Sequence, residues 1–168
     1  MKHLAVALLG GLVVSSCSGS SMSQASPSPV SPTTLNSMTG TWSGTSKDST
    51  GQETMSWTVT QSGGSLAGSM GLSDGSRGMM GSGTMTGTVN DRTVTFHMGV
   101  PNGGFAGVMS SCSMSVDGQA TMSDDGHTMT GTYAGNMSGM MSGTMSGMMG
   151  QMQSCGGPMS NGQFTLTR

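Results

Sequence analysis

The sequence predicts an all-β fold: an antiparallel meander of about eight to ten short strands, closed as a small up-and-down barrel in preference to a sandwich. Three observations lead there. Apolar residues alternate with polar ones at a period of two, most plainly at Val94, Phe96, Met98 and Val100. Turn residues interrupt that alternation at regular intervals, as in a meander. The chain also has 30 Gly and 30 Ser among 168 residues and no Ile, so helix propensity is poor throughout. Closing the sheet would remove its exposed edges, which favours the barrel.

Taken in order, the chain opens on a leader. Lys2 and His3 precede an apolar run from Leu4 to Val14. This pattern marks an export signal, and it is shorter than the roughly 20 apolar residues that a membrane-spanning helix needs. Val14-Ser15-Ser16-Cys17 then resembles the lipobox of bacterial lipoprotein precursors: a branched apolar residue, two small residues and a cysteine. The resemblance implies removal of residues 1–16, diacylglycerol on the Cys17 sulfur and acylation of the new amine by a fatty acid such as palmitate. Ser18 in place of Asp implies an outer-membrane destination, facing the periplasm or the surface. The alternative is an ordinary signal peptide with Cys17 incidental. Residues 17–37 form a Ser-rich tether in which Pro27, Pro29 and Pro32 exclude regular structure. A single domain occupies 38–168, long enough for one core.

Within it, Thr41 to Ser46 carries the first aromatic, Trp42. Met55, Trp57 and Val59 share a face, and Ser62-Gly63-Gly64 turns the chain. Leu66, Met70 and Leu72 share a face with Gly68, and 73–83 is a loop. Met85, Gly87 and Val89 follow, then a turn at Asn90-Asp91. After the 94–100 strand, 101–104 turns again. Val108, Cys112, Met114 and Val116 face together. Asp117-Gly118 is a hairpin signal, since Gly accepts the positive φ of a type I′ turn. Ala120 and Met122 precede a turn at Asp124-Asp125-Gly126, Met129 and Tyr133 form the next face, and Asn161-Gly162 introduces a last strand with Phe164 and Leu166 inward.

Met38-Thr39-Gly40-Thr41-Trp42, Met85-Thr86-Gly87-Thr88-Val89 and Met129-Thr130-Gly131-Thr132-Tyr133 are near copies, either by duplication or by convergence of a Thr/Gly-rich chain. Gly within a strand marks a bend or a bulky neighbour. Gly40-Thr41-Trp42 on the first strand resembles the G-x-W signature of the calycin barrels, the lipocalins and avidins, and Met129 to Tyr133 is similar to an avidin strand. In those families a basic residue near the last strand packs over the Trp, a place that Arg168 would take. Biotin binding is not implied, because the family's polar ligand set is not traceable here.

With Cys17 taken by lipid, Cys112 and Cys155 remain as a pair in an oxidising compartment, where a disulfide is the default. It would close a loop of over forty residues, a stabilisation of roughly 4 kcal/mol. Two thiolates holding a soft metal are the alternative, less favoured because the C-x-x-C spacing is missing. Met occurs 21 times. It either substitutes for Leu and Ile as core filler, with Met55, Met85, Met98, Met114 and Met129 on core faces, or binds soft metal. The Met-Ser-Gly repeat at 137–149 points to the second: Met137, Met140, Met141, Met145, Met148, Met149 and Met152 look like the Met-rich segments of periplasmic copper- and silver-handling proteins, and thioethers favour Cu(I) or Ag(I). His97 and His127 would assist. A sacrificial oxidant sink is a third role, since Met sulfoxide is repairable.

The chain has a formal net charge of −2 and no basic patch, which argues against nucleic acid. Gly71-Leu72-Ser73-Asp74-Gly75 matches a nucleophile-elbow string but lacks its strand-turn-helix setting, and there is no phosphate loop or zinc signature. The expectation is therefore not an enzyme but a lipid-anchored envelope protein serving as a binding or structural module, without a cofactor. A Cu(I)/Ag(I) binder and a lipocalin-like carrier of a small apolar ligand are the alternatives.

Overall fold

A computed structural model describes residues 37–75, 79–141 and 154–168. Eight strands follow one another: β1 (Gly40–Asp48), β2 (Gly51–Ser62), β3 (Ser65–Asp74), β4 (Met79–Asn90), β5 (Thr93–Val100), β6 (Cys112–Met122), β7 (Thr128–Gly139) and β8 (Pro158–Thr167). Each pairs antiparallel with the next, and β8 returns to β1 with Ser43–Lys47 against Gln163–Thr167, so the meander closes into a barrel. The one helical element among the described residues is a 3-10 turn at Gly107–Met109.

The alternation sorts the two faces. Trp42, Met55, Trp57, Val59, Met85, Val94, Phe96, Met98, Met129 and Leu166 are buried inside. Trp57, Phe96 and Phe164 form a three-ring cluster with centroids 4.9, 5.2 and 5.6 Å apart. Outside, cross-strand partners run Thr93, Thr121, Thr130, Thr165, Thr45 and Thr54 in one row over six strands. Thr suits an exposed pleated surface, and each such pair contributes roughly 0.2–1 kcal/mol. A barrel that spans an outer membrane needs its apolar residues outside; this one has them inside.

Several glycines fall on inward positions where neighbouring strands approach closely. At Gly44 a Cβ would collide with the carbonyl oxygen of Thr165, and at Gly118 with the Phe96 ring. This explains one correction to the sequence reading. Asp117-Gly118 is no hairpin: it lies in the middle of β6, with Gly118 opposite Tyr133 and beneath Phe96. The string signals a turn only where the chain must reverse, and here the missing side chain makes room for a ring. Three boundaries also shift. β4 begins at Met79 rather than after Gly83, because Met79 and Gly81 hold the inward phase. Val108 belongs to the 3-10 turn and is 54% exposed, not on the Cys112 face. β8 begins at Pro158, with Asn161 at φ 56° and a register shift opposite Tyr133–Gly135, so Asn161-Gly162 is an irregularity inside the strand.

In a meander, alternate connections lie at opposite ends. One end holds Met38, the tight connections at Gly63-Gly64, Asp91-Arg92 and 123–127, and Arg168. Met38 and Trp42 are fully buried there; Trp42 Nε1 donates to the Met38 carbonyl at 3.0 Å, and the Met38 N–H donates to Gln61 Oε1 at 2.7 Å. The Arg168 guanidinium lies 4.8 Å from the Trp42 ring and donates to the Ser37 carbonyl. This is the basic residue over Trp that the calycin resemblance implied, in a barrel consistent with that class.

Candidate functional site

The other end carries the longer connections, 101–111 and 140–157, and gathers the chain's unusual side chains. On β1 and β2 its inner wall is polar. Counting inward positions from Trp42 along β1 reaches Ser46 and Asp48; counting back from Trp57 along β2 reaches Glu53, which is paired with Ser46. Among the described residues, Ser46 and Asp74 are the buried polar ones, 1% and 5% exposed. Tyr133 on β7 donates its hydroxyl to Asp48 Oδ2 at 3.0 Å, while Asp48 Oδ1 accepts from the Thr50 N–H and hydroxyl at 2.7 and 2.6 Å. Three hydrogen bonds thus fix the Asp48 carboxylate. Burial pushes the Tyr133 phenol well above its ordinary value; the Ser46 hydroxyl opposes that and the Asp48 carboxylate adds to it.

The outer rim carries exposed apolar side chains. Met80 (62%), Val108 (54%) and Met140 (55%) are the exposed large hydrophobics among the described residues, and all three lie at this end. Met109 and Met141 are half-buried against the core. Phe105 reaches inward: it bridges to Gly81, where its ring occupies the space that a Cβ would take, and it is 2% exposed.

Cys112 and Cys155 form a disulfide, with Cα atoms 5.7 Å apart. It ties β6 to the chain leading into β8. The same base is closed by a bridge between Met140 and Ser154, by Cys155 N–H to the Gly139 carbonyl at 3.2 Å, and by Met137 N–H to the Gly157 carbonyl at 3.1 Å. Of the proposed metal-binding methionines, Met137 is inside at 8% exposure, Met140 is outside and Met141 sits between them. Met145, Met148, Met149 and Met152 lie outside the described residues, as does Cys17. The core methionines Met55, Met85, Met98, Met114 and Met129 are all buried. His97 points outward and pairs with Asp117 at 2.8 Å, and the His127 N–H caps Asp125 in its turn. Hydrogen bonds from Ser123 and the His127 backbone hold the Asp125 carboxyl below the usual range. No group of three or more His, Cys, Asp or Glu able to hold a metal ion occurs among the described residues.

The Tyr133–Asp48 pair and the inward Asp74 were not singled out by the sequence reading. The signal existed in the strand phase: Asp48 lies six residues after Trp42, and Glu53 four before Trp57. No protein-family model, curated protein or solved structure matches this chain.

Proposed function

We propose that this protein is a lipid-anchored envelope protein whose barrel acts as a non-enzymatic binding module, with the loop-bearing end as its working surface. The observation that carries the reading is the segregation of exposed apolar side chains: Met80, Val108 and Met140 share one end of a barrel whose strands otherwise show Thr, Ser and Gln to solvent. Apolar rims on otherwise polar surfaces mark interaction sites. The anchor is supported by cysteine arithmetic. Joining Cys112 to Cys155 leaves Cys17 as the odd cysteine, the residue that acylation would consume. Labelling cells with an alkyne fatty acid tests it: the wild-type chain takes up label and Cys17→Ser does not, and label retained by the variant defeats the anchor.

A second reading, a Cu(I) or Ag(I) binder, is favoured by the exposed thioethers of Met80 and Met140 at the end where β7 runs out into Met140 and Met141. Competition of the oxidised protein against a Cu(I) chelator decides between them, since affinity weaker than micromolar removes the metal. The carrier reading has no comparable observation in its favour, because the aromatic cluster fills space where an apolar ligand would lie.

A further inference from the structure

Four sulfur-bearing residues of this chain gather at one place, and that place carries an inference independent of the exposed methionines. Cys112 and Met114 are two residues apart on the inward face of β6. Met114 is the register partner of Met137 on β7, so their Cβ atoms lie about 4.5–5.5 Å apart. Gly139, two residues on from Met137, pairs with Cys112. Cys155 closes the group from the β8 side: a Cβ on its neighbour Gly156 would sit 3.6 Å from the Met137 Sδ. Cys112, Met114, Met137 and Cys155 are 0, 6, 8 and 4% exposed. Two cysteines and two thioethers thus converge on one buried corner at the loop-bearing end.

We infer that this corner is a soft-metal site gated by thiol chemistry: closed while the disulfide stands, and a two-thiolate, two-thioether seat for Cu(I) once it is reduced. A small thiol supplies the electrons. Two RSH become RSSR, the Cys112–Cys155 S–S bond breaks, and each cysteine sulfur gains one electron and one proton. Cu(I) then displaces both protons to solvent and forms two copper–thiolate bonds. The Met114 and Met137 sulfurs each donate a lone pair, with no change in oxidation state. Thiolate and thioether are the ligand types that select Cu(I), and burial excludes competing water.

The test uses the full chain, reduced with a water-soluble phosphine, desalted without oxygen and titrated with Cu(I) against a bathocuproine chelator. The reduced protein is expected to take one Cu(I) per chain at least 100-fold more tightly than the disulfide form. Met114→Leu/Met137→Leu, close in volume, should weaken that binding at least tenfold, whereas Met80→Leu/Met140→Leu should leave it unchanged. Equal affinity in the two redox states, or no effect of the Met114/Met137 pair, overturns the inference. If the rim pair abolishes binding instead, the metal belongs to the exposed thioethers and the gated site is refuted. Far-UV circular dichroism covers loss of fold on reduction: a β signal that Cu(I) restores supports the site, and one that it does not restore defeats it.

Discussion

Removing the staple by Cys112→Ala/Cys155→Ala should lower the unfolding free energy by about 4 kcal/mol. The cross-link spans a sequence separation of 43, and the chain-entropy relation gives about 13 cal/mol/K for a loop of that length, or about 4 kcal/mol at 25 °C. The enclosed segment contains β6, β7 and the chain leading to Cys155. In the native state the β6–β7 ladder already orders most of it, so the gain arises by restricting the unfolded chain. That origin has a second signature: the variant's unfolded state expands, and its denaturant slope m should rise. Against a total of roughly 5–15 kcal/mol, the variant should remain folded at room temperature. Urea titration followed by tryptophan fluorescence reads it directly, because Trp42 and Trp57 are both fully buried and unfolding exposes them together. A loss below about 1 kcal/mol, with m unchanged, would show that the loop is closed without the bond and would refute the entropic argument.

Four further outcomes are expected. Gly118→Ala forces a methyl into the Phe96 ring and should cost about 1–3 kcal/mol in a thermal melt; a neutral result would place Phe96 elsewhere. Because burial raises the phenol's value in the folded state, Tyr133 contributes stability that is present below its unfolded value, about pH 10, and lost as pH rises further. Tyr133 is the chain's one tyrosine, so phenolate absorbance reports it alone; ionisation near pH 10 without unfolding would contradict its burial, and Tyr133→Phe should lose the alkaline dependence. Arg168→Gln removes the cation over Trp42 and should cost about 0.5–1 kcal/mol with a change in tryptophan emission. Asp117→Asn breaks a solvent-exposed pair with His97 and should change stability by less than about 0.5 kcal/mol in the same urea assay.

Much of the barrel could be read in advance because burial has the same period as the strand. Val94, Phe96, Met98 and Val100 all face inward, and each core methionine singled out lies inside. Turn chemistry was less decisive. Asp124-Asp125-Gly126 does reverse the chain, while Asp117-Gly118, a stronger signal by composition, does not. What separates them is Phe96, laid over Gly118 by pairing between β5 and β6, a tertiary fact that no local string carries. The Met-Thr-Gly-Thr copies teach the same lesson. Two begin strands that run away from the Trp42 end, but Met85 lies within β4, which runs the opposite way. Their shared feature is a glycine at an inward position, crowded by neighbouring backbone at Gly87 and Gly131 but facing open space at Gly40, with no common place in the fold. At the candidate site the cysteine pair was legible by elimination. The Tyr133–Asp48 bond was not, because the partners are 85 residues apart.

The contact between Arg168 and the Ser37 carbonyl puts the first described residue beside the last. A short glycine linker joining them would let the chain be cut anew at the Gly63-Gly64 turn, giving a circular permutant with the same hydrogen-bonded ladder. Fluorophores or affinity handles fused at Arg168 would sit at the opposite end of the barrel from the sulfur-rich corner and leave that end unobstructed.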